Sequence, residues 1–136
     1  MTQKEALQVL AILKAAYPNS YRNMTEEEAV GTVNVWAMQF STVPVDIVLM
    51  AIQKLISSSK FPPAISEVKD KLKSIHWEAY GILRDAVRSK DLTEPERAFY
   101  QRIHDATEEG AFALNGEPTL TQLAGGNKAI GLPQAK

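Results

Sequence analysis

The sequence predicts an all-α protein, with a small helical bundle of about four helices in its N-terminal part, one or two further helices, and a flexible C-terminal tail. Three observations carry this. Apolar residues recur at steps of three and four along most of the first hundred positions, three Thr-x-x-Glu capping boxes punctuate those stripes, and no segment alternates apolar and polar residues with β-branched enrichment. Three stretches follow: a helical domain over 1–75, a helical region over 76–109 and a tail over 110–136. No internal repeat is visible.

Thr2 and Glu5 frame the first helix, whose stripe Ala6, Leu10, Leu13 and Tyr17 runs until Pro18 stops it. Thr25 and Glu28 frame the second. Glutamates 26 to 28 suit the positive end of its dipole, and Ala29, Val33, Trp36, Ala37 and Phe40 form its apolar stripe. Pro44 opens the third, with Val45, Val48, Leu49, Ile52 and Ile56 on one face, and Ser57 to Ser59 end it. Pro62 then drives Phe61 into extended backbone and Pro63 suits a first helical position, so Phe61 is expected at a helix-to-helix corner.

From there Ile65, Val68, Leu72, Ile75, Ala79, Ile82 and Ala86 keep a period of about 3.5 residues. This reads either as one long fourth helix or as two helices broken near Ser74 to His76, with Gly81 weakening the later half by roughly 1 kcal/mol. Trp77, Tyr80, Leu83 and Val87 add a second stripe in that half. Thr93 with Glu96, Pro95 in the first turn, and Phe99, Ile103 and Ala106 give a last short helix. Beyond Gly110, the pairs Asn115-Gly116 and Gly125-Gly126, with Pro118, Gly131 and Pro133, break every element, and only Leu120 and Leu123 could anchor a turn.

A length of 136 residues allows one domain or a domain with an appendage, and a net charge of −1 gives no bulk attraction to nucleic acid or an anionic membrane. Residues 1–75 carry eight basic against seven acidic side chains and residues 76–136 seven against nine, so neither half is polarised. The absence of cysteine removes disulfides, thiolate nucleophiles and thiolate metal sites. With Glu5 where a signal peptide turns apolar, and no apolar run approaching a membrane span, we read a soluble cytoplasmic protein.

No catalytic constellation emerges. Gly126 and Gly131 have phosphate-loop spacing, but Leu132 and Pro133 stand where lysine and a hydroxyl belong. The two histidines, His76 and His104, lie 28 positions apart without a ligand pattern around either, so they read as solvated side chains and no metal or cofactor is expected. His104 beside Asp105 lacks a partner serine. Lys60, Lys69, Lys71 and Lys73 are the best candidate for a nucleic-acid footprint, yet Glu67 and Asp70 intervene and Lys71 leaves the face shared by Lys69 and Lys73. Trp77, Tyr80, Phe99, Tyr100 and Phe112 fall where the sequence is thin for burying them, and read either as interface anchors or as a second core.

The blocks Ala15-Ala16-Tyr17-Pro18-Asn19, Met24-Thr25-Glu26-Glu27-Glu28, Val33-Asn34-Val35-Trp36 and Ser59-Lys60-Phe61-Pro62-Pro63, in this order and spacing, resemble the N-terminal signature of phage-encoded replicative-helicase loader and inhibitor proteins. The resemblance covers about residues 1 to 73. It implies a non-enzymatic adaptor in the bacterial host cytoplasm that binds a hexameric DnaB-type helicase, holds it inactive, and hands it to an origin-bound initiator. Direct nucleic-acid or membrane contact is not expected. Helicase contacts would fall in the C-terminal half, where the resemblance fades; the expected docking residues are Tyr80, Leu83, Phe99, Tyr100, Arg102 and Ile103, with Phe112 and Leu114. Tyr17, Trp36 and Phe61 are expected to hold the N-terminal domain together. The competing reading is a small helical DNA-binding replication or regulatory protein, resting on the lysine cluster.

Overall fold

In the computed structural model, which describes residues 1–89 and 91–108, local capping chemistry sets where helices begin. Helix α1 spans Gln3–Ala16, α2 Pro18–Tyr21, α3 Glu26–Gln39, α4 Val45–Ile56, α5 Ile65–Ser89 and α6 Glu94–Thr107. No strand occurs among the described residues. All three capping boxes form, with Thr2, Thr25 and Thr93 each accepting from the backbone N–H of Glu5, Glu28 and Glu96, whose carboxylates accept in return from the threonine N–H. Each box satisfies two of the helix-end donors that no intrahelical carbonyl reaches.

The proline positions depart from expectation in two places. Pro18 ends α1 by pushing Tyr17 out of the helical region (φ −132°, ψ 65°), but its fixed φ also starts the short helix α2, which the stripe pattern does not foresee. Pro63 is not the first helical residue; α5 begins at Ile65, and Ala64 occupies the cap position. Alanine offers no side-chain acceptor, so only half a box forms: the Ala64 N–H donates to Glu67 Oε1 at 2.7 Å. The expected choice between a continuous and a broken helix resolves in favour of continuity, since α5 passes through Ser74–His76 without interruption.

The chain divides into two compact units, Met1–Ser74 and Ile75–Lys136. In the first, α1 packs on α2, α3 and α4. Its core is Ala6, Val9, Leu10 and Leu13 from α1, Val33 and Trp36 from α3, Ile47, Val48, Ala51 and Ile52 from α4, and Val68 and Leu72 from α5, together with Phe40 and Val43 from the α3–α4 connection. Burial of these side chains is the main stabilising term, at about 1.5–3 kcal/mol for each large aliphatic or aromatic one. The Trp36 and Phe40 rings meet at 5.5 Å. The N-terminal ammonium of Met1 donates to the Phe40 and Val43 carbonyls, each at 3.0 Å, tying the start of α1 to the α3–α4 connection.

The corner before α5 is held by Tyr17 rather than by Phe61. Tyr17 is buried and its hydroxyl donates to the Ser59 carbonyl at 3.0 Å, tying the end of α1 to the loop. Phe61, expected to help hold this domain together, is 73% exposed and contributes little to the core. Pro63 is the residue of that motif that is buried.

In the second unit, Ile75, Ala79 and Ala86 of α5 and Ile103 of α6 form the buried apolar set. His76 and Thr107 are buried among them, both with no exposed surface. The tail expected over 110–136 lies outside the described residues.

Candidate partner-binding surface

The α5 periodicity that buries Ile75, Ala79 and Ala86 leaves a flanking stripe, and the expected contact residues Tyr80 and Leu83 fall on it, both half-buried. Trp77, on the same stripe, is 42% exposed and meets the Tyr80 ring edge-on at 5.6 Å. The Arg84 guanidinium lies over the Tyr80 ring, 5.8 Å from its centroid, a cation–π distance. Val87 is also exposed. On α6, Phe99 is 51% exposed and packs edge-on against Tyr100 at 5.2 Å. Arg102 is exposed and makes contacts of its own.

Ile103, four positions after Phe99, is buried and packs within this unit in the free chain. The period of α6 explains the difference from Phe99: Ile103 and Thr107 share the inward face, while Phe99 sits one turn earlier, where that face is uncovered. Phe112 and Leu114 lie outside the described residues. Tyr80 and α6 do come together, through a Tyr80–His104 ring distance of 6.4 Å.

The histidines are the feature that spacing does not reveal. The expectation of two solvated side chains is corrected: the rings stack with centroids 4.6 Å apart, His76 with no exposed surface and His104 with its side chain 12% exposed. Burial holds the His76 imidazole below its usual pKa, the neighbouring His104 charge lowers it further, and Glu108, a hydrogen bond to the His104 backbone and Asp105 oppose both. The sequence does hold a signal, since His76 lies four residues after Leu72 and three before Ala79, on the stripe itself.

The first unit carries a second apolar surface, one that the sequence reading does not include. Leu7 of α1 and Val30 of α3 are both more than half exposed and line a groove with Lys4, Ala29 and Val33. Gln3 donates to Asn34 Oδ1 at 2.7 Å along the same groove. Leu7 and Val30 lie off the core stripes, which is the pattern that marks them. Of the lysine cluster, Lys69 donates to Gln39 Oε1, Lys71 is half-buried and Lys73 has partners within the chain. No described helix is long and apolar enough to cross a membrane.

Among known families, the model for the N-terminal domain of the phage SPP1 helicase loader/inhibitor matches residues 1–69. That span falls within the first unit and includes all four sequence blocks up to Ser59-Lys60-Phe61-Pro62-Pro63. No curated protein and no solved structure matches the chain.

Proposed function

The chain belongs to the phage helicase loader/inhibitor family whose N-terminal domain model covers residues 1–69, and on that premise we propose that it binds a hexameric DnaB-type replicative helicase, holds it inactive and loads it at a replication origin. The family match is the observation that carries this reading. On the same reading the protein acts without catalysis of its own, in the cytoplasm of the host cell, and passes the helicase to an origin-bound initiator.

We assign the helicase contact to the second unit. Its support is physical: Trp77, Tyr80, Phe99 and Tyr100 are aromatic residues left partly exposed after the unit has closed its core. Partly exposed aromatics gain most from burial by a partner, and rigid rings lose little conformational entropy when they dock. The first unit then serves as the family scaffold.

A helicase assay tests the functional half of the proposal. Titrating the chain into the cognate helicase should suppress both DNA-dependent ATPase activity and strand displacement, saturating at a fixed ratio of chain to hexamer. Unchanged rates at saturating chain would sink the inhibitor reading. Stimulation of loading onto single-stranded DNA coated by its binding protein, on addition of the initiator, would support the loader step.

A further inference from the structure

The interior of the second unit holds a set of donor atoms that neither the family match nor the helicase reading uses. His104 and Glu108 are four residues apart, which places them on one side of consecutive helical turns at the end of α6. His76 of α5 faces them. One donor atom from each of His76, His104 and Glu108 lies within 4.8 Å of the other two.

Hydrogen bonds on the far side of each imidazole fix which nitrogen carries its lone pair. The Thr107 hydroxyl gives its proton to the Ile103 carbonyl at 2.7 Å, so its oxygen accepts from His76 Nδ1–H at 3.0 Å. The Asp105 carboxylate accepts, so His104 Nδ1, 3.0 Å from Asp105 Oδ1, carries the proton there. In each neutral ring the lone pair is then on Nε2. Both Nε2 atoms are buried, and that of His104 has no hydrogen-bond partner among the described residues. A cation would satisfy the His104 Nε2 lone pair while drawing on that of His76 beside it, and the Glu108 carboxylate supplies compensating charge.

We propose that His76 Nε2, His104 Nε2 and the Glu108 carboxylate form a Zn²⁺ site, with Thr107 and Asp105 as the outer partners that orient the two imidazoles. Two imidazoles and a carboxylate are a nitrogen and oxygen set that zinc accepts at about 2.0–2.2 Å, with water completing the shell. Donors around tetrahedral zinc stand about 3.3 Å apart, so the set closes by roughly 1.5 Å on binding. Side-chain rotation of Glu108, the most flexible of the three, supplies most of that. The outer hydrogen bonds already in place are those that metal-bound histidines use to fix tautomer and ring direction. Such an ion would clamp α5 to α6 beside Tyr80, whose ring is 6.4 Å from that of His104.

Titration of the full chain, free of any affinity tag, with Zn²⁺ by calorimetry in competition with a chelator tests this. The chain has two histidines and no cysteine, so imidazole ligation can arise at one place only. The expected result is one ion per chain, with Asp105→Asn weakening binding by about 10–100-fold and Glu108→Gln weakening it at least as much, while circular dichroism stays that of the unmodified chain. Histidine ring nitrogen signals of the unmodified chain should shift at Nε2 of both residues on adding Zn²⁺, a readout that needs no variant to fold. No binding at a large excess of Zn²⁺, unchanged affinity in folded Glu108→Gln, or ring signals that do not move would each overturn the site.

Discussion

Phe99 and Ile103 sit four residues apart on α6 and are expected to fail in opposite ways when cut to alanine. Phe99 is 51% exposed whereas Ile103 is 4% exposed. A phenylalanine side chain offers about 150–250 Å² of burial, so roughly 100 Å² of Phe99 remains for a partner to cover, worth at most about 2.5 kcal/mol at 25 cal/mol per Å². Allowing for the alanine that remains, Phe99→Ala should weaken helicase binding by about 2 kcal/mol, roughly thirtyfold in Kd. Its cost to the free chain is smaller, about 1 kcal/mol, because a half-exposed site leaves no sealed cavity and alanine gains about 0.5 kcal/mol of helix propensity. Ile103→Ala should instead destabilise the free chain by about 2–5 kcal/mol. Its effect on affinity should vanish once the unfolded fraction is corrected for. Urea denaturation of each variant, paired with fluorescence titration against the helicase, separates the two quantities. A Phe99→Ala chain that binds normally but unfolds early would return Phe99 to the core and refute the assignment of this face.

Three further substitutions probe the helical framework of the two units. Tyr17→Phe removes the hydroxyl that donates to the Ser59 carbonyl and should cost about 0.5–1.5 kcal/mol in chemical denaturation; unchanged stability would mean that this bond does not hold the corner. Thr93→Ala removes the acceptor of the α6 capping box, for a loss of about 1 kcal/mol seen as reduced helicity or protection at the start of α6. The same box gives a pH dependence: the Thr93 backbone N–H and then its side chain hold the Glu96 carboxyl below its usual range. A depressed folded pKa makes the contribution present above the ordinary glutamate value and lost as pH falls through the folded one. Protection of the amides at the start of α6, measured against their intrinsic exchange rate at each pH, should therefore fall on acidification below about pH 4.3, and less so in Thr93→Ala. Gly81→Ala should stabilise α5 by about 0.5–1 kcal/mol, since a Cβ there meets nothing within 4 Å; destabilisation in a melt would contradict the regular helix drawn through that point.

What is legible in the sequence is what chemistry within a few residues decides. Thr2, Thr25 and Thr93 each form the box that their spacing with glutamate predicts, because both hydrogen bonds are local. The stripes through Leu10, Trp36 and Leu72 are buried at their centres, whereas α4 buries Ile47 and Ala51 beside the expected Val48 and Ile52 and leaves Val45, Leu49 and Ile56 half-buried. Phe61 goes the other way. Its backbone is constrained by Pro62, but whether its ring is covered depends on the surrounding helices, and they leave it exposed. Pro18 reads only as a stop because its second role, starting α2, shows in no apolar pattern over four residues. The continuity of α5 through Ser74–His76 is undecidable locally, since those residues neither break nor favour a helix strongly. On the candidate surface, the exposure of Trp77 and Phe99 is inferable from surplus aromatics, whereas the burial of Ile103 depends on which side of α6 meets its neighbours. The meeting of His76 with His104, 28 residues away, is a tertiary fact that single-residue motifs do not anticipate.

The central claim is that this chain engages a hexameric replicative helicase, and size-exclusion chromatography with in-line light scattering of the two together tests it most directly. The expected result is a single species whose mass exceeds that of the hexamer by a whole number of chains, and a shift toward free components with Phe99→Ala. Separate elution of chain and helicase, across the nucleotide states and salt concentrations in which the hexamer is intact, would contradict it.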